Sequence, residues 1–356
     1  MQRADMTETI AALMTPGKGL LAADESLSSI DRRFQPFGIE STEETRRQYR
    51  DMLFTATGIG EYISGVILFD ETLRQRSDDG RSYATVLVDE GIIPGIKVDT
   101  GTVPLAGALG ERITEGLDGL RERLTQYSSL GARFAKWRAV ITIAKGLPSE
   151  YCLATNAHAL ARYAALCQEA GIVPIVEPEV LMEGAHPLER TFEVTEATLI
   201  HLFAAVREQR VDLEHLLLKA SMVVPGADLE THESVEVVAE ATVRCLRRTV
   251  PAAVPGVVFL SGGKDPQTAT RHLNAMNAMT MSHPWPLSFS YARALQAPAL
   301  EAWRGKPENV TAGQRALLHR ARCNAAASLG RYTPEMELEE ARIAQLLPQV
   351  RVEKLA

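Results

Sequence analysis

Short apolar runs of β type recur along the chain, separated by longer stretches in which apolar residues return at helical spacing. Eight such runs, at residues 19–23, 65–69, 95–98, 134–143, 173–176, 216–219, 257–261 and 287–290, predict eight strands. Between most of them lie stretches suited to helices, at 43–56, 149–170, 195–210, 235–247 and 265–277. Eight strands alternating with helices in a chain of 356 residues predict an α/β fold, a closed (β/α)8 TIM barrel. The rival, a doubly wound sheet, usually follows its first strand with a Gly-x-Gly-x-x-Gly turn; Gly17, Gly19 and the AADES segment do not fit one. Two further helices are expected after the eighth strand, at 312–329 and 336–346, with 347–356 a loosely held, flexible tail. No Pro/Gly/Ser-rich linker and no internal repeat interrupts the pattern, so residues 1–356 are expected to form a single barrel domain.

Composition narrows the functional classes. A formal charge of -7 argues against nucleic acid as the main partner, while leaving room for a local basic pocket that holds a small phosphate. The longest apolar stretch, AAVPGVVFL, contains a proline and falls far short of the roughly 20 residues that cross a bilayer, so no membrane role is expected. MQRADMTETIAALM lacks the apolar stretch of a secretion signal. Cys152, Cys167, Cys245 and Cys323 are scattered without a CxxC pair and read as free thiols of a reducing cytoplasm. The eight histidines show no HxH, HExxH or HxxxH spacing, and neither a metal nor a cofactor is expected.

Only eight of the 38 basic residues are lysines, and three of them, Lys97, Lys136 and Lys219, lie in or at the ends of apolar runs. An ammonium buried at a strand carries a desolvation cost. Desolvation or a neighbouring cation favours the neutral amine, which can attack a carbonyl. In a barrel, chemistry gathers at the C-terminal strand ends. There the chain places Asp24 after strand 1, Lys97 and Asp99 at strand 3, Lys136 and Arg138 at strand 4, Glu177 and Glu179 at strand 5, and Lys219 at strand 6. The i,i+2 pairs project to one side, so these charges are expected to share the mouth.

Lys219 could simply snorkel past Leu216 to Leu218; the shared cluster favours a catalytic amine instead. Lys136 would be the second cation beside it, a contact to a bound hydroxyl, or a plain salt-bridge partner. Glu177 and Glu179 are candidates for repeated proton transfer, and crowded carboxylates are expected to hold a raised pKa suited to that work. Asp24 would take a proton from a substrate hydroxyl or else cap a helix. Trp137, between two mouth residues, is expected to face the helix layer. Phosphate has two candidate grips. Ser261-Gly262-Gly263 after strand 7, with Ser290 and Arg293 after strand 8, form one; Ser26, Ser29, Arg32 and Arg33 after strand 1 form the other.

Ten segments carry a close resemblance to the class I fructose-bisphosphate aldolase family: GKGLLAADES, GVILFDETL, GIKVDTGTVPLAG, GLDGLRERLTQY, FAKWR, IVPIVEPEV, LLLKASMVVPG, LRRTVPAAVPG, FLSGG and FSYARALQ. They cover nearly all of residues 17 to 333 in family order. The resemblance implies a barrel that cleaves fructose 1,6-bisphosphate reversibly, without a metal, to dihydroxyacetone phosphate and glyceraldehyde 3-phosphate. It implies that Lys219 forms a Schiff base with C2, that Glu177 handles carbinolamine dehydration with Glu179 close by, and that Asp24 deprotonates the C4 hydroxyl. Lys136, Lys97 and Arg138 match further active-site groups. Ser261, Gly262 and Arg293 match the C1-phosphate site, and Ser29 and Arg33 the C6-phosphate side. It also implies a cytoplasmic homo-oligomer, a tetramer before a dimer.

The chain departs from the family pattern at Ala220-Ser221, where Pro-Asn is common, and at Lys264-Asp265, where Gln-Ser is common. Ala292 replaces a usual glycine, Arg32 stands where a lysine is often found, and the terminal tyrosine of the animal enzymes is missing. These bear on the preference for bisphosphate over monophosphate rather than on the reaction type. The other readings are a related lysine-dependent ketose-phosphate lyase or transaldolase, a tagatose-bisphosphate preference, a sugar-phosphate isomerase on the same barrel, and a scaffold on a decayed enzyme fold.

Overall fold

The alternation of strand faces already divides each strand into an inward and an outward set, and the structure, a computed structural model describing residues 2–230 and 233–338, closes those strands into a barrel. The strands are β1 (Gly19–Ala23), β2 (Ile63–Leu68), β3 (Ile93–Lys97), β4 (Phe134–Ile141), β5 (Val173–Val180), β6 (Leu217–Ala220), β7 (Val257–Phe259) and β8 (Leu287–Tyr291). All pair in parallel in sequence order, and β8 returns to β1 through Leu20 opposite Ser290. All eight expected strands are present, β1 with the expected bounds and the other seven with one or both ends shifted. β5 runs four residues past its expected end because Pro178 keeps its place opposite Ala139 in the ladder.

Outward residues such as Leu21, Val66, Ile96, Ala135, Val176 and Leu218 pack under the surrounding helices in one large core. Trp137 belongs to this layer and stacks on Tyr163 at 5.5 Å, facing away from the mouth. Inward residues Leu20, Ala22, Ile67, Phe134, Val173, Ile175, Leu217 and Val258 form a second cluster that fills the lower lumen. Each of these side chains larger than alanine contributes about 1.5–3 kcal/mol on burial. The Phe134 ring needs the space left by Gly95, where a Cβ would stand 2.3 Å from the ring.

Three elements depart from expectation. A helix, Gln2–Leu13, lies against the lower lumen, with Met6, Ile10 and Leu13 joining its cluster. Gly101–Pro104 and Arg112–Glu115 pair as an antiparallel hairpin by the mouth. The first helix after β8 is Arg293–Trp303, before the expected one, which spans Val310–Ser328. Residues 336–338 are helical; the rest of the helix expected at 336–346, and the tail at 347–356, lie outside the described residues.

Candidate active site

On four of the strands, moving two residues up changes the lumen from apolar to charged. Ala22 gives way to Asp24, Phe134 to Lys136, Ile175 to Glu177 and Leu217 to Lys219. These residues line a cavity of about 940 Å³ at the C-terminal end of the barrel. Lys136, Glu177 and Lys219 are each under 5% exposed, so their charges must be met by one another. Lys219 Nζ lies 2.9 Å from Glu177 Oε1. Lys136 Nζ lies 2.7 Å from Asp24 Oδ2 and 3.2 Å from Glu177 Oε2. The second of these contacts is an ion pair without hydrogen-bond geometry, so Glu177 Oε2 stays buried with an unfilled acceptor site.

The electrostatics correct one expectation. Burial pushes the Glu177 carboxyl up, but Lys136, Lys219 and Arg138 together outweigh it and hold the group below its ordinary range. A raised pKa was expected from the crowding of carboxylates; the lysines facing Glu177 reverse the sign. Asp24 behaves alike: burial opposes its ionisation, and Lys136, then Lys219 and Lys97, override burial and hold it well below the usual carboxylate range. Burial disfavours the Lys136 ammonium, yet Asp24, Glu177 and Asp99 raise it above its ordinary value. Asp24 is therefore not a helix cap; Ser26 holds the N-cap position of helix Leu27–Phe34.

The remaining mouth residues form a second ring of pairs. Lys97 Nζ binds the Asp99 carboxylate and carbonyl, each at 2.6 Å. Asp99 also accepts from the Arg138 amide at 3.2 Å and stands 4.0 Å from Lys136. Glu179, half-buried, pairs with the Arg138 guanidinium rather than with a lysine. Lys219 and Glu177 thus form the inner pair, and Glu179 sits on the rim.

At one side of the cavity Gly262 and Gly263 take positive φ values of 54° and 77° after Ser261, turning the chain toward Arg293. A Cβ at Gly263 would stand 2.8 Å from Arg293 Nη2, so glycine lets the guanidinium lie against this turn. The Ser290 hydroxyl, buried at the same wall, takes no hydrogen bond. On the β1 side of the cavity Ser26 donates to Ser29 at 3.1 Å, and Arg32 reaches Ser29 at 3.3 Å. Arg33 also lines this side, with its guanidinium on Glu25. Ser221 is taken up by the Val180 carbonyl at 3.2 Å, and Ala292 lines the cavity beside Arg293.

Sequence reasoning missed Glu25 and its partners Arg50 and Gln296. The only signal was a second acid directly after Asp24. The four cysteines are buried free thiols, and burial pushes Cys152 and Cys245 up to about 11 and about 12, which disfavours the nucleophilic thiolate. Among the described residues one group, His319, Cys323 and Glu337, has metal-ligand chemistry. Arg320 already occupies Glu337 with bonds of 2.5 and 2.6 Å, so a cation there would face a guanidinium. No helix among the described residues is long and apolar enough to cross a membrane.

The fold and this mouth define a (β/α)8-barrel enzyme built around a buried amine–carboxylate pair. The family model described as "Fructose-bisphosphate aldolase class-I" matches residues 5–349, and the chain belongs to the class I fructose-bisphosphate aldolase family. It is 56% identical to a probable fructose-bisphosphate aldolase class 1 of Xanthomonas campestris pv. campestris, over 92% of this chain and 98% of that protein. It is 51% identical to the cytosolic fructose-bisphosphate aldolase 4 of Arabidopsis thaliana, over 94% of this chain and 86% of that one. Among solved structures it resembles a Plasmodium falciparum fructose-bisphosphate aldolase, crystallised with TRAP and a small-molecule inhibitor. The TM-score is 0.91 at 46% identity, covering 93% of this chain and 96% of that one.

Proposed function

We propose that the protein reversibly cleaves fructose 1,6-bisphosphate to dihydroxyacetone phosphate and glyceraldehyde 3-phosphate through a Schiff base on Lys219. The contact that carries this reading is Lys219 Nζ to Glu177 Oε1, 2.9 Å, buried in a cavity that Arg33 and Arg293 also line. Glu177 starts ionised, so its first act is to accept the proton that Lys219 sheds before attacking C2. It then returns that proton to the carbinolamine hydroxyl, which leaves as water and gives the iminium. Asp24, kept ionised by Lys136, takes the C4 hydroxyl proton; the C3–C4 bond breaks and its electrons move into the iminium, forming an enamine. Glyceraldehyde 3-phosphate leaves, C3 is protonated, and water releases dihydroxyacetone phosphate and free Lys219.

Lys97 and Arg138 would contact substrate hydroxyls, and Glu179 would orient Arg138. Ser261, Gly262, Ser290 and Arg293 would hold the C1 phosphate, with Ser29 and Arg33 facing the C6 phosphate. The chain would work as one barrel domain in the cytosol, as a homotetramer in preference to a dimer, which sedimentation would distinguish. The deciding experiment incubates the enzyme with fructose 1,6-bisphosphate, borohydride and EDTA and maps the modified peptide. A reduced adduct on Lys219 with cleavage undiminished by EDTA is expected. An unmodified Lys219 with EDTA-sensitive turnover would sink the mechanism.

A further inference from the structure

Glu25 follows Asp24 at the end of β1, but its surroundings serve a different task. Its side chain is 4% exposed, and it is met from three other elements. Oε2 accepts from Arg50 of helix Glu43–Phe54 at 2.6 Å. Oε1 accepts from Gln296 of helix Arg293–Trp303 at 2.9 Å and from Arg33 of helix Leu27–Phe34. Gln296 is itself fixed: it donates to the Ala22 carbonyl at 2.6 Å and accepts from Arg50 at 3.2 Å and Tyr49 at 3.1 Å. Burial disfavours the Glu25 carboxylate, and the Arg33 and Arg50 guanidiniums outweigh it and keep the group ionised.

We propose that Glu25, braced by Arg50 and Gln296, is a positioning residue that holds Arg33 ready for the distal phosphate and so favours doubly over singly phosphorylated ketoses. The geometry supports this in two ways. Two guanidiniums share one carboxylate, Arg50 is buried, and the excess positive charge therefore falls on Arg33 at the cavity. A free arginine at a rim would lose side-chain freedom on gripping a phosphate; one already held by a braced carboxylate has less to lose. Arg33 gives one guanidinium nitrogen to Glu25, and its planar fork offers further donors to an anion.

The inference rests on the reading of Arg33 as a phosphate group of this same site, and the test separates the two. Steady-state kinetics would compare wild type, Arg33→Ala, Glu25→Gln and Glu25→Asp on fructose 1,6-bisphosphate and on fructose 1-phosphate, which lacks the distal phosphate. Glu25→Gln is expected to raise KM for the bisphosphate about 10-fold, the size of one loosened charge-assisted contact. KM for the monophosphate and both kcat values should move less than about 2-fold, since Glu25 bonds Arg33, Arg50 and Gln296 rather than Ser261, Gly262 or Arg293. Glu25→Asp keeps the charge but withdraws it by one methylene, and should fall between; it decides the matter if Glu25→Gln does not fold. A bisphosphate KM that stays put or falls in the Glu25 variants, while Arg33→Ala raises it, overturns the positioning role and leaves the reading of Arg33 standing. Equal changes on both substrates reduce Glu25 to a structural role and also overturn it. No effect of Arg33→Ala removes Arg33 from the phosphate site and the inference with it.

Discussion

The lower lumen and the mouth of this barrel are built by the same strands on the same inward face, two residues apart. Below, Phe134, Ile175 and Leu217 fill space and exclude water; above, Lys136, Glu177 and Lys219 fill it with charge. Apolar filling needs only volume, whereas each buried charge needs a partner at a fixed distance. The lower half therefore supplies stability, and the upper half spends some of it to hold a reactive arrangement.

That division can be broken experimentally. Lys219→Met should lower kcat by about 10⁴-fold or more and lower Tm as well, because the removed amine ends catalysis and leaves the buried Glu177 carboxylate without its closest partner. Stopped-flow turnover with calorimetry checks it, and kcat kept within about 10-fold would make Lys219 a structural residue. Phe134→Ala should separate the two effects, costing about 3–5 kcal/mol of stability in denaturant titrations with kcat retained in the folded fraction. Glu177→Gln should reduce kcat by about 10²–10⁴-fold, the range for a lost proton-transfer group, with little change in KM. Arg293→Ala should raise KM for the phosphorylated ketose about 10-fold or more; unchanged kinetics would remove it from the phosphate grip.

The smallest effect is on acid stability. Asp24 and Glu177, ordinarily near 3.8 and 4.5, are both depressed in the folded protein. Their contribution is complete above those ordinary values and is lost as pH falls through the depressed ones. Lys136 is raised instead, so its share is complete below its ordinary 10.5 and lost only as pH climbs through its folded value. Wild type should therefore exceed Asp24→Asn in Tm near neutrality and lose that margin below about pH 4. A margin independent of pH would deny the Asp24–Lys136 pair its charge.

The inward pattern explains what was legible in the sequence. Period-two alternation exposes strands, and charges placed at strand ends on that period announce a shared mouth, so Lys219, Glu177 and Asp24 could be grouped before any coordinates. The sign of the Glu177 shift could not: spacing reveals that carboxylates crowd together, but not that two lysines face the same one. Glu25 was hidden because its partners Arg50 and Gln296 lie 25 and 271 residues away, and no local pattern names them. Helix Arg293–Trp303 was obscured by Pro298, a residue that ordinarily ends a helix and here stays inside one. The hairpin is short and partly exposed, and its first strand is bounded by Gly101 and Pro104, residue types that favour turns and loops. Helix Gln2–Leu13 did carry a signal, apolar residues at 6, 10 and 13, but at its edge of the barrel nothing else in the sequence called for it.

The meeting of β1 with β8 also governs the order in which the molecule can be made. Ser288 donates to the Lys18 carbonyl at 2.6 Å across 270 residues of chain. Until a ribosome has delivered that stretch, the outer edge of β1 has no neighbour and Asp24 belongs to an unfinished cavity. The nascent enzyme thus carries an open sheet edge until the eighth strand emerges, and catalytic competence waits for that strand to dock.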